Sequence, residues 1–141
     1  MRVCILYAGV NRESQGLKTI SEALGRGIES QGNTVDIFNM QLDQGKSVSF
    51  YDYVIIGTES TGFFGGKIPV GPIREFFKTA GTLSGKRSMA FVRKSGLRNE
   101  KTLQALMKLM EGEGMYLRTS EVFAKPDYAQ ACGKRLNVNR E

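Results

Sequence analysis

Two apolar rhythms alternate along this chain. Short runs in which most positions are apolar are separated by stretches where apolar residues return every third or fourth position. The runs are Arg2–Ala8, Thr34–Met40, Tyr53–Ile56, Ser88–Val92 and Tyr116–Ala124. Between them Leu17, Ile20, Leu24 and Ile28 share one helical face. Ile73, Phe76, Phe77 and Ala80 do the same, as do Leu103, Leu106, Met107 and Met110. Tyr128, Cys132 and Leu136 give a short last helix its face. A continuous apolar run marks a strand covered on both sides, and a spacing of three to four marks a helix with one buried stripe. Gly32 and Gly81 close the first two helices, and the third fails around Gly112 and Gly114.

Strands alternating with helices predict parallel units with helices on both faces, a three-layer α/β/α sandwich. The first, third and fourth runs are the most apolar. The second and fifth are mixed and belong at the edges, which gives a five-stranded parallel sheet of order 2-1-3-4-5. Residues 41–51 carry Asp43, Gln44, Gly45 and Lys46, too polar and too short for a good helix, so a loop or a single turn is expected. No repeat, low-complexity tract or linker interrupts the pattern. The 141 residues read as a single domain, long enough to bury about two-thirds of the unfolded surface.

Composition removes several kinds of chemistry. The chain has no histidine, the commonest general base and metal ligand. Its two cysteines, Cys4 and Cys132, lie far apart and read as small buried hydrophobes. No apolar run reaches bilayer length and no signal-peptide pattern opens the chain, so a cytoplasmic protein without a membrane partner is expected. The net charge of +6 suits an acidic partner protein better than nucleic acid, because no recognition motif accompanies the positive residues. Lys86, Arg87, Arg93, Lys94, Arg98 and Lys101 are their densest group. Gln44-Gly45-Lys46-Ser47 ends like a phosphate-binding loop, but Met40 stands where that pattern needs glycine. A phosphoacceptor receiver shares the sheet order but needs carboxylates where Gly9, Val10 and Gly57 stand.

Open parallel sheets bind ligands beyond the C-terminal ends of their strands, where the strand order reverses. Three loops meet that description: Ala8 to Leu17, Thr58 to Pro69 and Arg93 to Asn99. In the first, Gly9, Asn11, Arg12, Ser14, Gln15, Gly16 and Leu17 lead into a helix N-terminus, which attracts anions. Ser14 either donates its hydroxyl to such an anion or caps the helix. In the second, Gly62, Gly65 and Gly66 surround Phe63 and Phe64. One ring is expected to fold back into the core and the other to stay exposed for something flat to stack on.

The segments Tyr53-Val-Ile-Ile-Gly-Thr58, Gly62-Phe-Phe-Gly-Gly-Lys-Ile-Pro69 and Ile73-Arg-Glu-Phe-Phe77 resemble the flavodoxin family. The order of elements does so over essentially the whole chain, down to Pro126–Gly133. The first loop lacks that family's Thr-Gly-Asn-Thr core, and its Asn-Arg-Glu-Ser-Gln-Gly run is more similar to NADPH-dependent FMN reductases. The resemblance implies FMN, with its phosphate in the first loop and Phe63 or Phe64 against the isoalloxazine. The backbone of Thr58, Glu59, Ser60, Thr61 and Gly62, continuing to Gly65, would line the ring edge. Arg93, Lys94, Ser95 and Gly96 would close the other side. Arg93 and Lys94 would then favour a reduced, anionic flavin. The resemblance implies electron transfer with a redox partner protein, or an oxidoreductase fed by NAD(P)H and commonly dimeric. The other reading is a module that keeps the fold, has lost FMN and serves as a binding or regulatory domain. No catalytic side chain separates these, because a flavin carries its own chemistry.

Overall fold

The computed structural model describes residues 1–139 of the chain. Five strands, β1 (Arg2–Ala8), β2 (Thr34–Asn39), β3 (Tyr53–Thr58), β4 (Arg87–Arg93) and β5 (Tyr116–Phe123), form one sheet. Four helices alternate with them: α1 (Gln15–Glu29), α2 (Val70–Lys78), α3 (Asn99–Gly112) and α4 (Pro126–Arg135). The strand order is β2-β1-β3-β4-β5, and every pairing is parallel. The sandwich and its order are therefore those that the apolar runs predict.

Alternation along the central strands divides the core in two. Cys4, Leu6, Ala8, Val54, Ile56 and Ala90 face Ile73, Phe76 and Phe77 of α2 and Leu106 and Met110 of α3. Val3, Ile5, Tyr7, Ile55, Met89 and Phe91 face Leu17, Ile20 and Leu24 of α1 and Ala129 and Cys132 of α4. Successive residues of a strand point to opposite faces, so a strand covered on both must be apolar throughout. At the edges, β2 is half-buried along most of its length, and β5 slips register beside Ser88 and Met89.

The crossover between β2 and β3 is a loop, as its polarity predicts. It does the work of a helix through three buried anchors, Met40, Val48 and Tyr51. The Met40 amide donates to the Tyr7 carbonyl (2.8 Å), Val48 to Ala80 (2.7 Å) and Asp52 to Arg2 (2.7 Å). These bonds fasten it to its neighbours without a helix. Within the sheet, Gly57 stands opposite Phe91, whose ring atoms would lie 2.1 Å from any Cβ there. Glycine at 57 gives that ring its space.

Tyr128 departs from its expected place on the buried face of α4. It is exposed, stacks edge-on against Phe123 with centroids 5.6 Å apart, and donates its hydroxyl to Glu121 (3.2 Å). Leu136 is buried just past the end of α4 rather than within it.

Candidate functional site

The parallel register brings the loops after β1, β3 and β4 together at one end of the sheet, where Ala8 pairs with Thr58 and Thr58 with Val92. The loop after β1 is shaped by its own side chains. Asn11 Oδ1 accepts from the amides of Glu13 (3.0 Å) and Ser14 (2.9 Å), a local turn that asparagine commonly makes. Asn39, at the end of β2, donates to the Arg12 carbonyl (2.7 Å), and Gln41 grips the main chain of Gly9 on both sides. Arg12 and Gln15 are exposed, while Leu17 is fully buried in the core and leaves only its main chain to the loop. Ser14 does not cap α1 with its side chain.

Glu59 is what that loop surrounds. Only 5 % exposed, its carboxylate accepts from the Val10 amide (2.9 Å) and lies 2.9 Å from the Ser14 hydroxyl. Its other oxygen pairs with Arg93 Nη1 at 3.1 Å. Charge-assisted bonds of this kind offset the cost of burying a carboxylate. Packing around it is close. A Cβ at Gly9 would meet Ser14 Oγ at 1.8 Å and Glu59 Oε2 at 2.6 Å, and one at Gly16 would meet Arg93 Nε at 2.4 Å. Arg93 therefore lies across the start of α1, with its charge directed at Glu59.

The loop after β3 turns the other way, toward solvent. Thr58 spends its hydroxyl on the Ala8 carbonyl (2.6 Å), and Ser60 is buried with its hydroxyl against the Gly62 carbonyl. The Thr61 amide reaches the Lys67 carbonyl (3.0 Å) and closes the loop. Phe63 and Phe64 are 64 % and 69 % exposed, with ring centroids 5.5 Å apart at an interplanar angle of 82°. The expectation that one ring folds into the core is corrected here, because the backbone holds both outward. The Leu97 amide donates to the Phe63 carbonyl (2.7 Å), and the Gly66 amide to Thr102 Oγ1 (2.9 Å). Gly65 and Gly66 have φ of +80° and +84°, angles that favour glycine. Gly96 has φ +63°, and a Cβ there would strike the Phe63 carbonyl at 2.3 Å. The loop after β4 is fixed in turn by Asn99 Oδ1, which accepts from the Ser95 amide (2.9 Å). Lys94 is exposed beside it.

Gln41, Asn39, Asn99 and Thr102 escaped the sequence reading. Their signal is a polar side chain next to a strand end or in the first turn of a helix. Nothing in the sequence says which loop each one fastens.

Other chemistry is narrowed by burial. The Cys4 thiol is pushed up to about 12 by burial, and burial also raises Cys132, so neither is a ready thiolate. Among the described residues no group of side chains could hold a metal ion, and no helix is long and apolar enough to cross a membrane.

Against the groups of FMN, the two halves of the site behave differently. The exposed phenylalanines fit a flat ring. The phosphate half does not fit as it stands, because Glu59 brings a carboxylate of its own to the Val10 amide, the Ser14 hydroxyl and the Arg93 guanidinium. Like charges about 4 Å apart near a protein surface repel by about 4 kcal/mol per unit pair.

No protein-family model matches the sequence, and no curated relative does. Solved structures do. A flavodoxin from the domain Archaea superposes with a TM-score of 0.73 at 21% identity, over 96% of this chain and 92% of that one. Two-electron reduced Megasphaera elsdenii flavodoxin gives 0.75 at 17% identity, over 94% and 96%. Oxidised flavodoxin 1 from Bacillus cereus gives 0.71 at 14% identity, over 97% and 100%. The chain has the flavodoxin-like fold.

Proposed function

We propose that this protein binds a flavin and carries electrons to or from a protein partner. The observation that carries the reading is the aromatic pair. Phe63 and Phe64 are large, apolar and exposed, and they are held outward by bonds to two other segments at the ligand-binding end of the sheet. Exposed apolar surface fixed in this way marks a binding site. FMN is the flavin that the resemblance implies. The test is the visible spectrum of the purified protein after incubation with FMN and gel filtration. A retained flavin spectrum with protein-dependent fine structure is expected.

A second reading is favoured by Glu59. With its carboxylate filling the loop after β1, the domain is complete without a ligand phosphate and could act as a flavin-free binding module. A protein that stays colourless with both FMN and riboflavin would establish that reading and end the first.

The electrostatics support an acidic partner. Several of the positive residues clustered in the sequence are engaged inward. Lys86 donates to the Ser49 and Tyr51 carbonyls (2.6 Å each), Arg87 to Val138 (3.2 Å), and Arg93 pairs with Glu59. Lys67, Arg98, Lys101 and Lys108 remain around a hollow of about 480 Å³ that Phe64 also lines. A one-signed rim beside the site steers an oppositely charged partner at low salt. Lys101→Glu with Lys108→Glu is expected to slow reduction by an acidic electron-transfer protein about tenfold at low ionic strength. Stopped-flow rates should converge with the wild type near about 0.5 M salt, where screening is short-ranged. Equal rates at low salt would remove this face from the docking surface.

A further inference from the structure

We infer that Glu59 is an internal anion that stands in for a ligand phosphate, so that the phosphate of FMN adds little to binding and the site scarcely distinguishes FMN from riboflavin. The inference rests on the flavin reading for its ligand and on the geometry of Glu59 for its substance.

Three groups meet at the carboxylate: the Val10 amide, the Arg93 guanidinium and the Ser14 hydroxyl, whose single proton is shared with the Asn11 carbonyl (2.8 Å). They come from the loop after β1, the entry to α1 and the end of β4. Glu59 itself leaves the end of β3. An amide beside a helix N-terminus, a hydroxyl and an arginine form a set suited to an anion. Here the chain supplies that anion itself. Ser14 Oγ and Glu59 Oε2 occupy the space above Gly9, and Arg93 covers Gly16, so these three groups are already taken up. A phosphate could take these three groups only by expelling Glu59 and then sharing the neighbourhood with the displaced charge. Riboflavin has the same ring and no phosphate, and meets neither obstacle.

The experiment compares FMN and riboflavin by fluorescence titration of wild-type protein and of Glu59→Gln, which keeps the shape and removes the charge. The wild type is expected to bind the two flavins within about threefold of each other. Glu59→Gln is expected to bind FMN at least about tenfold tighter, with riboflavin changed less than about twofold; tenfold corresponds to about 1.4 kcal/mol. A wild type that prefers FMN by more than about thirtyfold overturns the inference and leaves the flavin reading standing. A second readout needs no flavin. About 10 mM inorganic phosphate, against chloride of equal ionic strength, should raise the melting temperature of Glu59→Gln and of Glu59→Ala but not of the wild type. If phosphate stabilises neither variant, or stabilises the wild type equally, the inference fails. If the phosphate arm succeeds while no flavin binds any form, the internal anion stands and the flavin reading falls.

Discussion

A protein carrying both Phe63→Ala and Phe64→Ala is expected to lose flavin during gel filtration, with its dissociation constant weakened roughly 30- to 700-fold. That range corresponds to about 2–4 kcal/mol, taking stacking of an aromatic ring on a flat heterocycle at about 1–3 kcal/mol. The fold should barely register the change. Both rings are mostly exposed, so little apolar area is removed from the core, and the melting temperature should move by the equivalent of less than about 1 kcal/mol. The edge-on contact between the rings complicates the single variants, since removing one frees the other to turn. Fluorescence titration of each single variant assigns the stacking ring: the one in contact with the flavin should account for most of the double variant's loss. If the double variant binds flavin as the wild type does, the pair is not the platform and the proposed site is wrong. Should it instead unfold, the rings serve the fold, contrary to their exposure.

The Phe pair also shows where sequence reasoning stops. The central strands were legible because a strand buried on both faces needs apolar residues without interruption, and Val3–Ala8 and Tyr53–Ile56 supply them. The helices were legible from their stripes, and the loop bounds put the starts of α1, α2 and α3 within about two residues of Gln15, Val70 and Asn99, although not from capping residues. Helix α3 begins at Asn99, after Arg98 in a left-handed conformation (φ 54°) and with no side-chain cap, so no capping residue announces it. The three ligand-end loops followed from strand order alone. What each residue does within them did not. Phe63 turns outward from a segment whose carbonyl is held by the Leu97 amide, which lies in another loop. Glu59 reads in sequence as one polar residue in Thr-Glu-Ser-Thr. Its partners Ser14 and Arg93 are 45 and 34 positions away and meet it only once β1, β3 and β4 are aligned. Contacts set by tertiary convergence leave no local pattern to read.

The largest effect on stability is expected from a single methyl group at the crossing of α1 and α4. A Cβ at Gly133 would lie 2.4 Å from the Leu24 carbonyl oxygen and 3.0 Å from the Gly27 Cα, and one at Gly27 would lie 2.2 Å from the Gln130 carbonyl oxygen. These neighbours are main chain. No side chain can rotate aside, so the helices must separate and loosen the layer that holds Leu24, Ile28 and Ala129. Gly133→Ala should therefore cost about 3 kcal/mol, the upper part of the usual range for overpacking. At this chain length that lowers the melting temperature by roughly 10 °C in calorimetry. Gly112→Ala is the control. It sits at the end of α3 with nothing within 4 Å of its Cβ, and should be neutral or stabilising by up to about 1 kcal/mol. If both variants melt alike, the crossing is looser than its geometry. The same substitution separates fold from function. Gly27 lies 13 residues beyond Ser14, about 20 Å along α1. Gly133→Ala should therefore leave flavin affinity within about twofold at temperatures where the protein is folded, because the loop at the start of α1 is fastened independently, by Asn11, Asn39, Gln41 and Glu59.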